Sequence, residues 1–188
     1  MIKNIIVLIF LCLLSASNSK LDTDPKQKIS NIFKTPTSSF NKLNNSELNR
    51  NNILSATIKE NEDNTFWIAI HCKNIDPIAG FQFELSNNLN LLEVVGERAD
   101  NADFQFHHNK NGLILGFSMS GSTIRTIQNG SSEDSTIVSI KVEPLTKSNL
   151  IYNIKSILAG PKGQKLAFIS SSNKLSLNNQ SVTITFNE

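Results

Sequence analysis

The segment 78–86 reads Ile78-Ala79-Gly80-Phe81-Gln82-Phe83-Glu84-Leu85-Ser86, with an apolar residue at every second position from Phe81. This period of two is typical of a β-strand that has one face in a core and the other in solvent. A second apolar run follows at once and reads Leu89-Asn90-Leu91-Leu92-Glu93-Val94-Val95. The pattern indicates the surface of a β-sandwich rather than an enzyme cleft.

Short alternating runs continue along the chain from residue 53 to the end. Asn, Gly, Asp and Pro separate them, which is typical of an antiparallel sandwich or barrel. Turn-forming residues at 61–64 and 109–112 predict hairpins. The predicted strands are 53–59, 66–73, 78–86, 91–95, 104–107, 113–119, 136–142, 152–158, 166–169 and 182–186.

The same alternation predicts which side chains face the core. Burial of two apolar faces packed about 10 Å apart releases enough free energy to offset the conformational entropy lost when a domain of this size folds. No metal or crosslink is therefore required. The predicted core consists of Phe66, Ile68, Ile70, Cys72, Phe81, Phe83, Leu85, Leu113, Leu115, Phe117, Val138, Ile140, Val142, Val182, Ile184 and Phe186.

The N-terminus has the pattern of a secretory signal peptide. Lys3 precedes an unbroken apolar run at 5–14, and the small residues Ser17 and Ser19 suit cleavage near Lys20. The run is shorter than the roughly 20 residues that span a bilayer, although an uncleaved anchor remains the alternative.

We therefore expect a signal peptide at 1–19, a polar leader at 20–52 and a β-sandwich domain at 53–188. The protein is predicted to be secreted, with no membrane span after the signal is removed. We expect it to be a monomer.

The charge and cysteine content give no indication of a nucleic-acid-binding protein or of a disulfide-stabilised domain. The formal net charge of the 188 residues is +2, and the charges are scattered, so nothing predicts a nucleic-acid partner. After removal of the signal peptide only Cys72 remains, so no intrachain disulfide is expected. A buried free cysteine behaves as a small hydrophobic residue.

With the strands placed, the region from 53 to 186 resembles a cohesin domain. That family has a jelly-roll sandwich fold related to carbohydrate-binding modules, so the resemblance implies jelly-roll topology with about nine strands. It also implies a non-catalytic module that binds a dockerin-like protein partner or a polysaccharide. The pieces that carry it are Thr65-Phe66-Trp67-Ile68-Ala69-Ile70-His71-Cys72-Lys73-Asn74-Ile75, Ile78 to Leu85 running into Leu92-Glu93-Val94-Val95, Asn111-Gly112-Leu113-Ile114-Leu115-Gly116-Phe117-Ser118, and Tyr152-Asn153-Ile154-Lys155-Ser156-Ile157-Leu158-Ala159-Gly160.

The resemblance places partner contact on the outward face of the strand that carries Gly80, Gln82 and Glu84. Cellulosomal cohesins present an Asn and an Asp two residues apart on this face, and the matching positions here are Gly80 and Gln82. These three residues are nevertheless the predicted protein-binding positions.

Trp67 and His71 are the candidate glycan-binding residues, because alternation turns them outward when Phe66 and Ile68 face the core. An exposed indole on a flat sheet stacks sugar rings in many binding modules. In the alternative reading Trp67 is covered by the leader or by an N-terminal strand.

No catalytic or cofactor-binding motif is present, so we expect no enzyme, no cofactor and no metal. His107 and His108 are adjacent, and adjacent residues of a strand point to opposite faces. The remaining alternative is an extracellular structural or adhesive protein that pairs through a sheet edge. Its candidate edge is 182–186, which carries no charge.

Overall fold

The computed structural model describes residues 51–128, 131, 133–146, 151–171, 173–177 and 180–188. Almost every element in this part of the chain is a strand. The predicted signal peptide at 1–19 and the predicted leader, except for its last two residues, lie outside the described residues.

Twelve strands follow one another along the described residues, with one short helix between the fourth and fifth. The helix α1 is Arg98–Asn101, and a 3-10 turn at Glu133–Ser135 leads into the seventh strand. The strands are β1 (Asn52–Glu60), β2 (Phe66–Lys73), β3 (Gly80–Leu85), β4 (Leu89–Gly96), β5 (Gln105–His108), β6 (Leu113–Phe117), β7 (Thr136–Pro144), β8 (Ile151–Ala159), β9 (Lys165–Leu166), β10 (Phe168–Ser170), β11 (Asn173–Leu177) and β12 (Gln180–Asn187).

The strands form two sheets packed as a sandwich. The smaller sheet has the order β10-β1-β2-β7-β4, and the larger sheet has the order β11-β12-β8-β3-β6-β5, with β9 paired to β8. Most pairs are antiparallel, but β1 runs parallel to β10 and β8 runs parallel to β12. The predicted all-β, two-sheet sandwich is confirmed. Each sheet, however, contains a parallel pair as well as antiparallel pairs, and there are more strands than the predicted number of about nine.

One hydrophobic core lies between the sheets. The alternating residues of β2, β3, β7 and β12 that were predicted to face inward are all buried, and these four assignments are confirmed. Aromatic rings fill the middle of the core: Phe81 stacks on Phe83 with ring centroids 5.0 Å apart and on Phe104 at 5.9 Å. Such offset ring pairs stabilise a core beyond their buried area.

The register of β6 is the reverse of the prediction. Ile114 is fully buried, whereas Leu113, Leu115 and Phe117 are only half-buried, so their assignment to the core is wrong. Gly116 lies on the same inward face as Ile114. There the Phe81 ring occupies the space that a side chain would need. A Cβ on Gly116 would lie 2.3 Å from Phe81 Cζ.

Two hairpins form where turn residues predicted them. β1 pairs with β2 across the turn at 61–64, and Asn64 adopts a positive φ of 60°. β5 pairs with β6 across the turn at 109–112, where Gly112 has a φ of 82°. Left-handed backbone of this kind favours Asn and Gly.

The C-terminal strands depart from the prediction. The candidate edge at 182–186 belongs to β12, which pairs with β11 on one side and β8 on the other, so it is not an edge. The segment predicted as one strand at 166–169 is divided between β9 and β10, which belong to different sheets.

Candidate functional site

The outward surface of the larger sheet brings the predicted protein-binding residues together with apolar side chains. We call it the β3 face, and it is made by alternate residues of four neighbouring strands. Its members are Gly80, Gln82 and Glu84 of β3, Leu113, Leu115 and Phe117 of β6, Lys155, Ile157 and Ala159 of β8, and His107 of β5.

An apolar strip runs across the middle of the β3 face. Gln82 lies opposite Leu115 on one side and Ile157 on the other. Gly80 lies opposite Phe117 and Ala159, and it leaves the space between them without a side chain. The apolar members are half-buried by their neighbours and still reach solvent. The strip therefore combines apolar contact area with one central amide.

His107 packs against Phe117, the aromatic residue at one end of the strip. Its ring is exposed and stacks on Phe117 from the edge strand β5, with centroids 5.6 Å apart and an interplanar angle of 14°. Stacking against a neighbour restricts the Phe117 ring, so less side-chain freedom is lost when a partner binds there.

Charged residues border the strip at the opposite end. Glu84 lies opposite Lys155 of β8 and Leu113 of β6, and both charged side chains are exposed. An apolar centre with a polar, hydrated border is the usual composition of a protein interface.

Trp67 and His71 lie on the other outer surface, that of the smaller sheet, so the structure does not bring them to the β3 face. Trp67 is only 9% exposed, with Lys59 and Lys141 as its cross-strand neighbours. This agrees with the alternative in which the indole is covered, and the expected exposed side chain is not observed.

His71 is buried as well, with 3% of its surface exposed. Its Nε2 lies 2.8 Å from Thr57 Oγ1, and its Nδ1 lies 2.9 Å from Thr136 Oγ1. Both ring nitrogens thus have hydroxyl partners from the flanking strands β1 and β7. This arrangement satisfies a buried polar ring and leaves it turned away from solvent.

The Cys72 side chain belongs to the hydrophobic core. It is fully buried, and burial raises the pKa of its thiol to about 12, so the reactive thiolate does not form at neutral pH. Among the described residues, no three side chains of the metal-binding types come together. The described part of the chain also contains no helix both long and apolar enough to cross a membrane.

The sequence pattern missed the apolar half of the β3 face. Leu113, Leu115 and Phe117 were assigned to the core because β6 is apolar on both faces. Gly116 was the available signal, since a glycine in a strand often marks the close approach of another group.

No protein-family model matches the chain, and no curated protein matches it. Among solved structures, it is similar to a non-cellulosomal cohesin from the hyperthermophilic archaeon Archaeoglobus fulgidus, with 13% identity over 73% of this chain and 92% of that chain and a TM-score of 0.44. It is also similar to the human F-spondin reeler domain, with 10% identity over 73% of this chain and 97% of that chain and a TM-score of 0.35. A reelin-N domain of F-spondin matches with 10% identity over 72% of this chain and 86% of that chain, at a TM-score of 0.34.

Proposed function

We propose that this chain is a secreted, non-catalytic binding module that holds a protein partner on its β3 face. The observation that carries the proposal is the apolar strip formed by Leu115, Phe117 and Ile157 on either side of Gln82 and Gly80. A sheet face with half-exposed apolar residues suits a partner surface that covers those residues.

The two parts of the strip contribute differently to binding. Burial of Phe117 and Leu115 under a partner would supply the hydrophobic term, at about 25 cal/mol per Å² of apolar area removed from water. Gln82 would make binding specific, because a buried amide must find hydrogen-bond partners on the opposing surface. A partner is therefore selected by a polar group placed opposite Gln82 within an apolar patch.

The chemistry of the face favours a protein over a polysaccharide as the ligand. Trp67 was the residue best suited to stack a sugar ring, and it is nine-tenths buried on the other outer surface. The β3 face offers leucine and isoleucine side chains, which complement apolar protein side chains better than the hydroxyl-rich faces of a glycan. A dockerin-type helix is one protein partner of this kind.

Two sequence features support the remaining parts of the proposal. The apolar run at 5–14 followed by small residues supports secretion. The absence of any nucleophile, base or metal-ligand constellation in the sequence supports a binding role.

The proposal is tested by affinity purification from the source culture with the chain immobilised through its C-terminus. Wild type is compared with Leu115→Lys, which places a charge in the apolar strip. Leu92→Lys is the matched control, because Leu92 is 43% exposed on β4 of the smaller sheet. We expect a protein that wild type and Leu92→Lys retain and that Leu115→Lys loses, with affinity lowered at least about tenfold. Equal retention by all three proteins would contradict a binding role for the β3 face.

A glycan array probed with wild type separates the two ligand classes. We expect no retained glycan. A glycan that wild type binds and Leu115→Lys also binds would place a polysaccharide site elsewhere and refute the protein-partner assignment.

A further inference from the structure

A cleft of about 370 Å³ lies between α1 and the loop that follows β6. Its volume lies near the lower end of the range for small-molecule sites, roughly 300–1,000 Å³. The lining residues are Arg98, Asn101, Ala102, Thr123, Ile124 and Arg125. Four of them carry hydrogen-bond donors, two are cationic, and none carries a carboxylate.

The loop wall of the cleft is fixed by backbone hydrogen bonds. Ile124 N donates to Ile78 O at 2.8 Å, and Ile78 N donates to Ile124 O at 3.1 Å. Ile124 is 1% exposed. Its neighbours Thr123 and Arg125 are two residues apart in this extended segment, so their side chains leave it on the same side. That side carries a hydroxyl and a guanidinium group.

Arg98 extends from α1, and four hydrogen bonds hold its guanidinium in one position. Its Nη1 donates to Cys72 O at 2.8 Å and to Ser135 O at 3.4 Å. Its Nη2 donates to Asn74 Oδ1 at 2.8 Å and to Arg125 O. All four acceptors are neutral oxygens.

Within the described residues, therefore, no carboxylate forms an ion pair with the positive charge that Arg98 brings to the cleft. Burial lowers the pKa of Arg98, and the interaction that opposes this shift comes from Cys72 and from no carboxylate of the described residues. A guanidinium nevertheless stays charged in proteins. Within the described residues, ion pairs join Lys141 to Asp63 and Lys165 to Glu188, and neither arginine of the cleft takes part in one.

The three acidic residues nearest to Arg98 in sequence each have a neighbour outside the cleft lining. Asp100 lies against β4, since its Oδ1 is 2.0 Å from where a Cβ on Gly96 would be. Asp103 accepts a hydrogen bond from Ser120 Oγ at 3.0 Å. Glu97 accepts one from Ser139 Oγ at 3.4 Å.

We propose that this cleft binds a carboxylate, held by Arg125 and Thr123 and stabilised by the fixed charge of Arg98. A planar carboxylate matches the two parallel donors of a guanidinium, and such bidentate pairs are stronger than neutral hydrogen bonds. A carboxylate would also place a negative charge beside Arg98. The small volume suits a short organic acid or the C-terminal carboxylate of a peptide.

The test is a titration of the ¹⁵N-labelled full chain, followed by amide NMR shifts at constant ionic strength. The probes are sodium acetate for a free acid, N-acetylglycine for a peptide C-terminus, and acetamide as the uncharged isostere. We expect saturable shifts confined to 98–102 and 123–125 with at least one of the two acids and none with acetamide. Binding of N-acetylglycine alone would assign the peptide terminus, and binding of both acids would assign free organic acids as ligands.

Arg125→Gln is the informative variant because Arg125 is exposed and lies outside the strands. It should weaken acid binding at least about tenfold, since it removes the bidentate donor. Lys110→Gln removes the same charge from the exposed turn between β5 and β6 and should leave binding unchanged. Unaltered binding by Arg125→Gln, an equal loss in Lys110→Gln, non-saturating shifts, or equal affinity for sulfate would each overturn the proposal.

Discussion

Truncating two adjacent residues of β6 should have opposite effects on stability and on binding. Ile114 is 0% exposed and belongs to the core, whereas Leu115 is half-buried on the β3 face. Ile114→Ala removes fully buried methylene and methyl groups and leaves a cavity, so we expect a loss of about 2–5 kcal/mol in the free energy of unfolding. Leu115→Ala removes groups that remain partly in water, and we expect a loss of no more than about 1 kcal/mol.

Urea unfolding followed by circular dichroism measures both losses on the same scale. The slope m should be similar for the two variants, because each exposes nearly the same surface on unfolding. Binding of the partner should show the opposite order. At a temperature where both variants are folded, Leu115→Ala should retain less partner than Ile114→Ala. A stability loss for Leu115→Ala that equals or exceeds that for Ile114→Ala would refute the register of β6 and, with it, the apolar strip.

Three further outcomes follow from the structure. Gly116→Ala should lower the free energy of unfolding by about 1–3 kcal/mol in a urea titration, because its methyl group would meet a phenylalanine ring 2.3 Å away, and unchanged stability would contradict that contact. Deleting residues 20–50 should shift the emission of Trp67, the only tryptophan, to longer wavelength if the leader covers it, whereas an unchanged spectrum would exclude that cover. Hydrogen bonds from the hydroxyl and the backbone of Thr65 lower the pKa of Asp63 below 3.8, so its stabilising contribution is present above that pH and is lost as the pH falls through the folded-state value. The melting temperature of Asp63→Asn should therefore lie below that of wild type at neutral pH and converge with it in strong acid. A difference in melting temperature that persists in strong acid would contradict the stabilising role of the ionised Asp63 carboxylate.

The predictability of each strand depended on whether polar residues marked one of its faces. β3 alternates apolar residues with Gly80, Gln82 and Glu84, so its inward and outward faces follow directly from the sequence. β6 reads Leu-Ile-Leu-Gly-Phe and offers apolar side chains to both faces. Its register is set by the Phe81 ring from the neighbouring strand, and a period of two within one segment contains no information about that contact.

The position of a strand within a sheet also lay beyond local patterns. The uncharged run 182–186 has the composition of an exposed edge, but β11 pairs with it and makes it internal. Pairing partners are set by the whole topology, and β11 is a five-residue segment that the predicted strands did not include. For the candidate site, the polar positions of β3 were predicted, whereas the apolar strip beside them required the register of β6.

The parallel pairing of β1 with β10 has a consequence for how the domain assembles. Asn52 Nδ2 donates to Ala167 O at 2.8 Å, across 115 residues of chain, and this bond lies beside the three residue pairs that join the two strands. Closing so long a loop costs entropy before any contact compensates for it, and folds rich in distant pairs therefore reach the native state slowly, in milliseconds to seconds. The smaller sheet can acquire β10 only after most of the sandwich has been synthesised. Until then β1 lacks the strand that covers its outer edge, and an uncovered strand edge is a site at which other chains can associate.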